Sequence, residues 1–448
     1  MKNLRSVRNP FKPHIWVTLL TLIALPVSQP ARAYAVFTHQ EIVDLVWDTS
    51  IRPLLLARFP GSTANELLEA HAYAYGGCAI QDMGYYPFAK QFFSNLTHYV
   101  RTGDFVANLL NDARTLDEYA FALGALSHYL GDTIGHSQAI NLATPIAFPK
   151  LERKYGPSVA YDQDPHAHVR TEFAFDIGQL SGRTFAPPSY MRHIGLRASR
   201  RLLDRAFRET YGFEFPELVG ETRPALRSYR SSVRNFIPAF AGAEVVLHRS
   251  QFPPENPDDA YRIFAERLKR ADYERHWKMG YKGPGFGSHV LAVIVKIVPK
   301  VGPVSQLAIK IPEPRTEDLY VKSVDHVVDT YTQLLAQLRR APDADLALAN
   351  LDLDTGETVK PGAYRLTDKT YAQLLARLTS RPARPIPEGV QRNILDFYAD
   401  PNGSNLTKKD ADDRERVQSE LTVLQSMPLT HAAHLSGNVD LDDRNPSP

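Results

Sequence analysis

Apolar residues recur at three- and four-residue steps along most of the chain, the period of helices that bury one face, and a mainly α fold is expected. The strongest run follows Thr115 and Glu118, whose spacing predicts a capping box. From there Phe121, Leu123, Leu126, Tyr129, Leu130 and Ile134 leave little of the helix polar, the pattern of one buried on most sides. Earlier, Thr38 and Glu41 predict a second capping box, followed by Ile42, Val43, Leu45, Val46 and Ile51 at helical intervals. A helix is expected to resume at 64–74 and to break at Gly76 and Gly77, and a short one at 92–100. Turn formers and aromatics at 81–87 predict a loop. A proline-containing connection is expected at 143–161, after which Asp164 and Pro165 supply an N-cap and a first-turn proline.

Further helices are expected at 191–211, 258–268 and 317–338, with the apolar 290–311 region packed as core. Past Arg340 the texture changes: 351–354 alternates like a short strand, Thr355 and Gly356 suggest a turn, and 370–378 a helix. The expected organisation is a helical domain over 34–340, a small appended subdomain over 341–398, and a polar, flexible tail over 399–448.

Residues 1–33 stand apart. Lys2, Arg5, Arg8 and Lys12 precede an apolar run at 15–27, and Ala31 and Ala33 form a small-residue cleavage signal, so a secretory signal peptide is expected. Cleavage before Tyr34 fits best, and a cut after Ala35 is the alternative. The destination expected is the periplasm or the exterior. The single cysteine, Cys78, excludes an internal disulfide, and a net charge of +2 gives no general argument for nucleic-acid binding. One local exception is a basic stripe of Arg197, Arg201, Arg205 and Arg208, read as a solvated face in preference to a lipid- or phosphate-binding one.

The polar residues inside the apolar helices change the picture. His128, Asp132 and His136 lie at four-residue steps and share one stripe of the central helix. His168 and Glu172 repeat the spacing on a later helix, His98 sits on the short one, His39 in the first turn of the first, and Asp82 on the loop. A lone buried His–Asp pair reads most simply as an internal hydrogen-bond network. Imidazoles and carboxylates in this number suit zinc instead, and one cysteine rules out a thiolate site. His71, His166 and His193 lack matching partners and read as structural. Asn350, Asp352 and Asp354 imitate part of a calcium loop but lack its glycine.

With these residues in place the chain resembles the zinc-dependent phospholipase C superfamily, which includes bacterial phospholipases C, a glycosylphosphatidylinositol-specific phospholipase D and fungal single-strand nucleases. The resemblance runs from Tyr34 to about Arg340 and is most specific up to Asp176. It implies a largely helical fold and three zinc ions per chain. The amine and carbonyl of Tyr34 would join His39 at one zinc, and Asp132 would bridge it to a second held by Asp82, His98 and His128. His136, His168 and Glu172 would hold the third, with Asp82 also activating the attacking water. In secreted phospholipases C and the nucleases the last histidine follows the bridging aspartate by six residues. Here Asp132 to His136 is four, closer to the phospholipase D member.

The function expected is an exported zinc-dependent phosphodiesterase acting on phospholipid in the manner of a phospholipase C, with peripheral contact to a membrane surface. A single-strand nuclease or nucleotidase is the alternative, with Tyr85 and Tyr86 as a stacking platform for nucleic acid. A non-catalytic, zinc-stabilised envelope protein is the third reading.

Overall fold

The computed structural model describes residues 35–182, 185–248, 288–289, 291–292, 310–342, 346–399 and 411–430. The signal segment, Tyr34, the helix expected at 258–268 and most of the apolar 290–311 region lie outside the described residues. Regular structure within them is almost wholly helical.

α1 (Val36–Val46), α2 (Arg52–Arg58) and α3 (Ala64–Gly77) open the fold, and α4 (Gln91–Tyr99) and α5 (Thr102–Asp112) lead to the central α6 (Leu116–Gly135). A π-helical turn, His136–Ile140, carries α6 directly into α7 (Asn141–Ala147) and α8 (Pro149–Tyr155), so the expected connection is itself helical. Pro145 sits inside α7 and Pro149 at the first position of α8, where its missing N–H costs nothing. Next come α9 (Pro165–Gly182), α10 (Pro188–Ile194), α11 (Arg200–Tyr211), α12 (Phe215–Val219), α13 (Thr222–Ser231) and α14 (Ile237–His248). The helix expected at 191–211 is therefore two, separated at Gly195, whose φ of 92° ends α10. α15 (Pro314–Arg340) is the long helix expected there, and α16 (Arg365–Thr379), α17 (Glu388–Ala399) and α18 (Ala411–Ser426) are the last helices among the described residues.

α6 is wrapped by α1, α3, α5 and α15. Its backbone meets α3 at Gly124, where a Cβ would fall 2.1 Å from the Ala74 carbonyl oxygen, so only glycine allows the approach. Thr115 caps α6 as expected by accepting the Glu118 N–H at 3.2 Å. The box is only half made, because the Glu118 carboxylate turns to the Arg114 N–H and to Arg205.

The first capping box does not form. α1 begins at Val36, two residues before Thr38, and no side chain of its own caps it. The cap comes from α9 instead: Asp176 accepts the Phe37 N–H at 2.9 Å, the Thr38 N–H at 3.1 Å and the Thr38 hydroxyl at 2.6 Å. Glu41 accepts the Ala186 N–H.

Residues 351–358 form an isolated antiparallel bridge, Leu351 to Thr358, rather than a strand. In the stretch expected to be a flexible tail, α18 packs on α16, burying Leu421 and Leu424, and Leu429–Thr430 pairs in parallel with Ile386–Pro387.

Candidate metal centre

Three groups of side chains converge beneath the surface: His39, His128 and Asp132; Asp82, His98 and His128; and His136, His168 and Glu172. Within each group the potential ligand atoms lie within 4.8 Å of one another. These are the expected ligands other than Tyr34, and all are buried.

Asp132 is the hub. Its Oδ1 lies 3.2 Å from His39 Nε2, and its Oδ2 lies 3.0 Å from His128 Nε2 and 3.3 Å from His98 Nε2. Asp82 Oδ1 lies 3.4 Å from His98 Nε2. In the third group Glu172 Oε1 lies 3.0 Å from His168 Nε2 and 3.6 Å from His136 Nε2. The four-residue stripe is thus shared out: His128 and Asp132 serve the first two groups from α6, and His136, on the π turn, serves the third.

Local packing fixes each contributor. The Asp82 turn, Gln81–Tyr85, is latched to α4 because Ser94 Oγ donates to the Gln81 carbonyl at 2.5 Å and accepts the Gly84 N–H at 2.9 Å. Gln81 Nε2 ties the same turn to the Ala125 carbonyl of α6 at 3.0 Å. The His39 ring lies against Gly131, where a Cβ would stand 3.1 Å from it, and stacks on His128 with centroids 4.3 Å apart.

Three imidazoles have one nitrogen engaged by a backbone carbonyl. Nδ1 of His98 faces the Ser94 carbonyl at 2.7 Å, that of His128 the Cys78 carbonyl at 2.9 Å, and that of His136 the Leu353 carbonyl at 2.8 Å. With Nδ1–H donating outward, each Nε2 faces inward, the arrangement that orients metal-binding histidines.

Sequence reasoning missed the Leu353 contact. The loop after residue 349 enters the centre: the Leu353 N–H donates to the His98 carbonyl at 3.0 Å, and Asp354 Oδ1 lies 3.7 Å from His136 Nδ1. Tyr99 and Tyr364 hydroxyls hold Asp354 Oδ2 at 2.8 and 2.6 Å. Asp352 organises the loop by accepting the Asp354 and Thr355 N–H groups, so the acidic residues that imitate a calcium loop build a turn. The alternation of acids there was visible in sequence, but two of the partners of Asp354, Tyr99 and His136, lie more than two hundred residues away.

Asp176 caps α1 one residue before His39. His71 pairs with Asp44 at 2.9 Å and stacks on Trp47, away from the three groups. The basic stripe is neutralised in part: Arg205 meets Glu118 at 2.8 Å, Arg208 meets Glu214 at 2.8 Å, and Arg197, off the helix, faces Glu69 at 3.8 Å.

Electrostatics follow from this crowding. Burial pulls His98 down, but Asp132 and Asp82 outweigh it and hold its imidazole protonated up to about 10. His136 is likewise lifted to about 9, with burial overcome by Glu172, Asp132 and Asp354. His39 moves down, through burial and the charge of His128. Asp132 is driven well below the usual carboxylate range, its burial outweighed by the three histidines.

The arrangement fits zinc on its own chemistry. Both oxygens of Asp82 and Asp132 and the Nε2 atoms of His98, His128, His136 and His168 are buried and make no hydrogen bond. Uncompensated burial of this many polar atoms costs several kcal/mol, roughly, per charged group. A cation between inward-facing nitrogen and oxygen donors removes that cost, and the donor set is one zinc accepts.

The sequence from 38 to 212 matches the family described as zinc dependent phospholipase C. Comparison with curated proteins and with solved structures gives no match. Every residue of the three groups falls inside the matched span, whereas Leu353 and Asp354 lie beyond it. Over residues 38–212, with its helical fold and its three groups of imidazoles and carboxylates, the chain is similar to the zinc-dependent phospholipase C family.

Proposed function

We propose that the protein is an exported zinc-dependent phosphodiesterase that hydrolyses phospholipid on the phospholipase C side of the phosphate, and that it carries three zinc ions. The observation that carries this reading is the hub at Asp132, one carboxylate facing three histidines from three different helices. His39, with the terminal amine and carbonyl of Tyr34, would hold one zinc, and Asp82, His98 and His128 a second, with Asp132 shared between the two. His136, His168 and Glu172 would hold the third.

Bound zinc supplies charge neutralisation for a phosphodiester transition state and acidifies water at neutral pH. The protein supplies placement. Asp82 directs Oδ1 at His98, and its Oδ2, which makes no hydrogen bond among the described residues, would take a proton from the attacking water. The latch from Ser94 to the Asp82 turn keeps that carboxylate from swinging away. No serine or cysteine nucleophile is required, and Cys78, buried with its thiol pushed well up by burial, is unsuited to the role.

The nuclease reading loses its main support. Tyr85 and Tyr86 are 3% and 6% exposed, with Tyr86 packed on Tyr229, so neither offers a ring face to a nucleobase. Export rests on the segment 1–33. Among the described residues no helix is long and apolar enough to cross a membrane.

The test combines the N-terminal mass of the exported protein, its zinc content, and hydrolysis of phosphatidylcholine micelles and single-stranded DNA before and after chelation. A chain starting at Tyr34 with zinc-restorable release of diacylglycerol supports the proposal. A metal-free chain that is fully folded and inert towards both substrates would sink it.

A further inference from the structure

The exposed surface beside the Asp82 turn has a composition that the metal centre does not account for. α13 presents Ala225 and Tyr229 inward, followed by Val233 on the π-helical turn Ser232–Phe236, all three essentially inaccessible. The Tyr229 ring packs on Tyr86 with centroids 5.6 Å apart, and its hydroxyl donates to the Gly76 carbonyl at 2.8 Å. The inner face of α13 therefore backs directly onto the loop that continues from Asp82.

Its outer face carries Arg223, Arg227, Arg230 and Arg234, at steps of four, three and four, which align them in one stripe. All four are exposed, and none has a carboxylate partner among the described residues. The stripe on α11 differs, since it is answered by Glu118 and Glu214. Burial, then the charges of Arg197 and Arg234, lower the Arg230 guanidinium, a sign of positive charges crowded without compensation. Two residues after Arg234, at the end of the π-helical turn, Phe236 is 54% exposed, and on the loop that follows the Asp82 turn Phe88 is 67% exposed. Phe88 also adopts a φ of 68°, a left-handed conformation uncommon for a bulky residue.

We infer that the outer face of α13, with Phe236 and Phe88 beside it, is a docking surface for a bilayer rich in anionic phospholipid. Guanidinium groups meet headgroup phosphates while the phenyl rings enter the acyl boundary, the division of labour of an interfacial helix. A nucleic-acid strand is the less fitting occupant, because it favours a groove lined by stacking platforms and this is the outward face of one helix. The choice of a lipid occupant rests on the phospholipase reading. The site would then be presented to the membrane through the loop that α13 supports.

The experiment is co-sedimentation of the full chain with vesicles of equimolar phosphatidylcholine and phosphatidylglycerol, against vesicles of phosphatidylcholine alone. The expected result is selective, salt-sensitive binding to the anionic vesicles. Neutralising three arginines together (R227Q, R230Q and R234Q) should weaken it by about five-fold per charge, on the order of a hundred-fold in all. Phe236→Ser should weaken it by about ten-fold or more. Hydrolysis of a dispersed short-chain phospholipid should be unchanged in both. Should the triple variant melt early, Arg230→Gln alone, expected at about five-fold, decides the matter.

Equal binding to both vesicle types, or wild-type binding by the variants, would overturn the inference, as would capture of single-stranded DNA in place of vesicles. Vesicle binding without any hydrolysis would uphold the docking face and sink the phospholipase reading. Hydrolysis of dispersed phospholipid without vesicle binding would do the reverse.

Discussion

Asp354 lies outside the family segment, and replacing it separates support of the fold from support of the metal. Its side chain is fully buried, two tyrosine hydroxyls donate to one oxygen, and the other faces His136 Nδ1 at 3.7 Å. Asp354→Ala strands both hydroxyls, at about 1–3 kcal/mol each, so a loss of about 2–6 kcal/mol of stability is expected. Asp354→Asn keeps an acceptor for the tyrosines and costs about 1 kcal/mol. It also removes the charge beside His136 and places an amide near a ring N–H that already donates to Leu353. Loss of such an outer partner lowers metal affinity by about 10–100-fold. Native mass spectrometry during titration with a competing chelator reads the zinc count, and thermal melting of the metal-free protein reads stability. The expected outcome for Asp354→Asn is a nearly unchanged melt with one zinc lost early. If that variant retains every zinc as tightly as the wild type, the loop is scaffolding alone and the reasoning is wrong.

Other outcomes follow from the same geometry. Asp82→Asn should reduce phosphodiester hydrolysis by about 10²–10⁴-fold, measured as initial rates on phosphatidylcholine at saturating zinc. Gly124→Ala, whose Cβ would stand 2.1 Å from the Ala74 carbonyl oxygen, should cost about 1–3 kcal/mol or more in a chemical melt, with an unchanged melt refuting the close approach. The metal-free chain should lose stability as pH rises between about 6.5 and 10. His98 and His136 titrate at about 10 and about 9 in the fold, so the folded chain binds more protons than the unfolded one across that window. Zinc affinity should rise over the same range, because binding must displace those protons, and calorimetry in buffers of different ionisation enthalpy would count them.

Much of the centre was legible because helical periodicity alone places His128 and Asp132 on one face, and a signal from Asp164 and Pro165 places His168 and Glu172 on another. The helices themselves were readable where apolar spacing was regular, as in α6 and α15. Long-range hydrogen bonding hid the rest. Thr38 and Glu41 have capping-box spacing, yet Asp176 takes the cap and the Ala186 amide takes Glu41. Nothing local distinguishes Leu353 from any other apolar residue, since its role lies in a backbone carbonyl. α12, α13 and α14 went unrecognised because arginines and prolines blur their apolar stripes, although Ala225, Tyr229 and Val233 are spaced by four.

The Asp176 cap has a consequence for the order in which the molecule can be assembled. His39, close to the start of the chain, is held in place by a carboxylate 138 residues downstream of its neighbour Thr38. A growing chain therefore carries its first ligand long before it has the means to aim it. Closing such long loops is slow, and their entropy must be met before any contact rewards it. The cap on the first helix can form only after α9 exists, so His39 is aimed well after it has been made. Under the export proposed above, that timing would keep the ligands unable to chelate until folding begins on the far side.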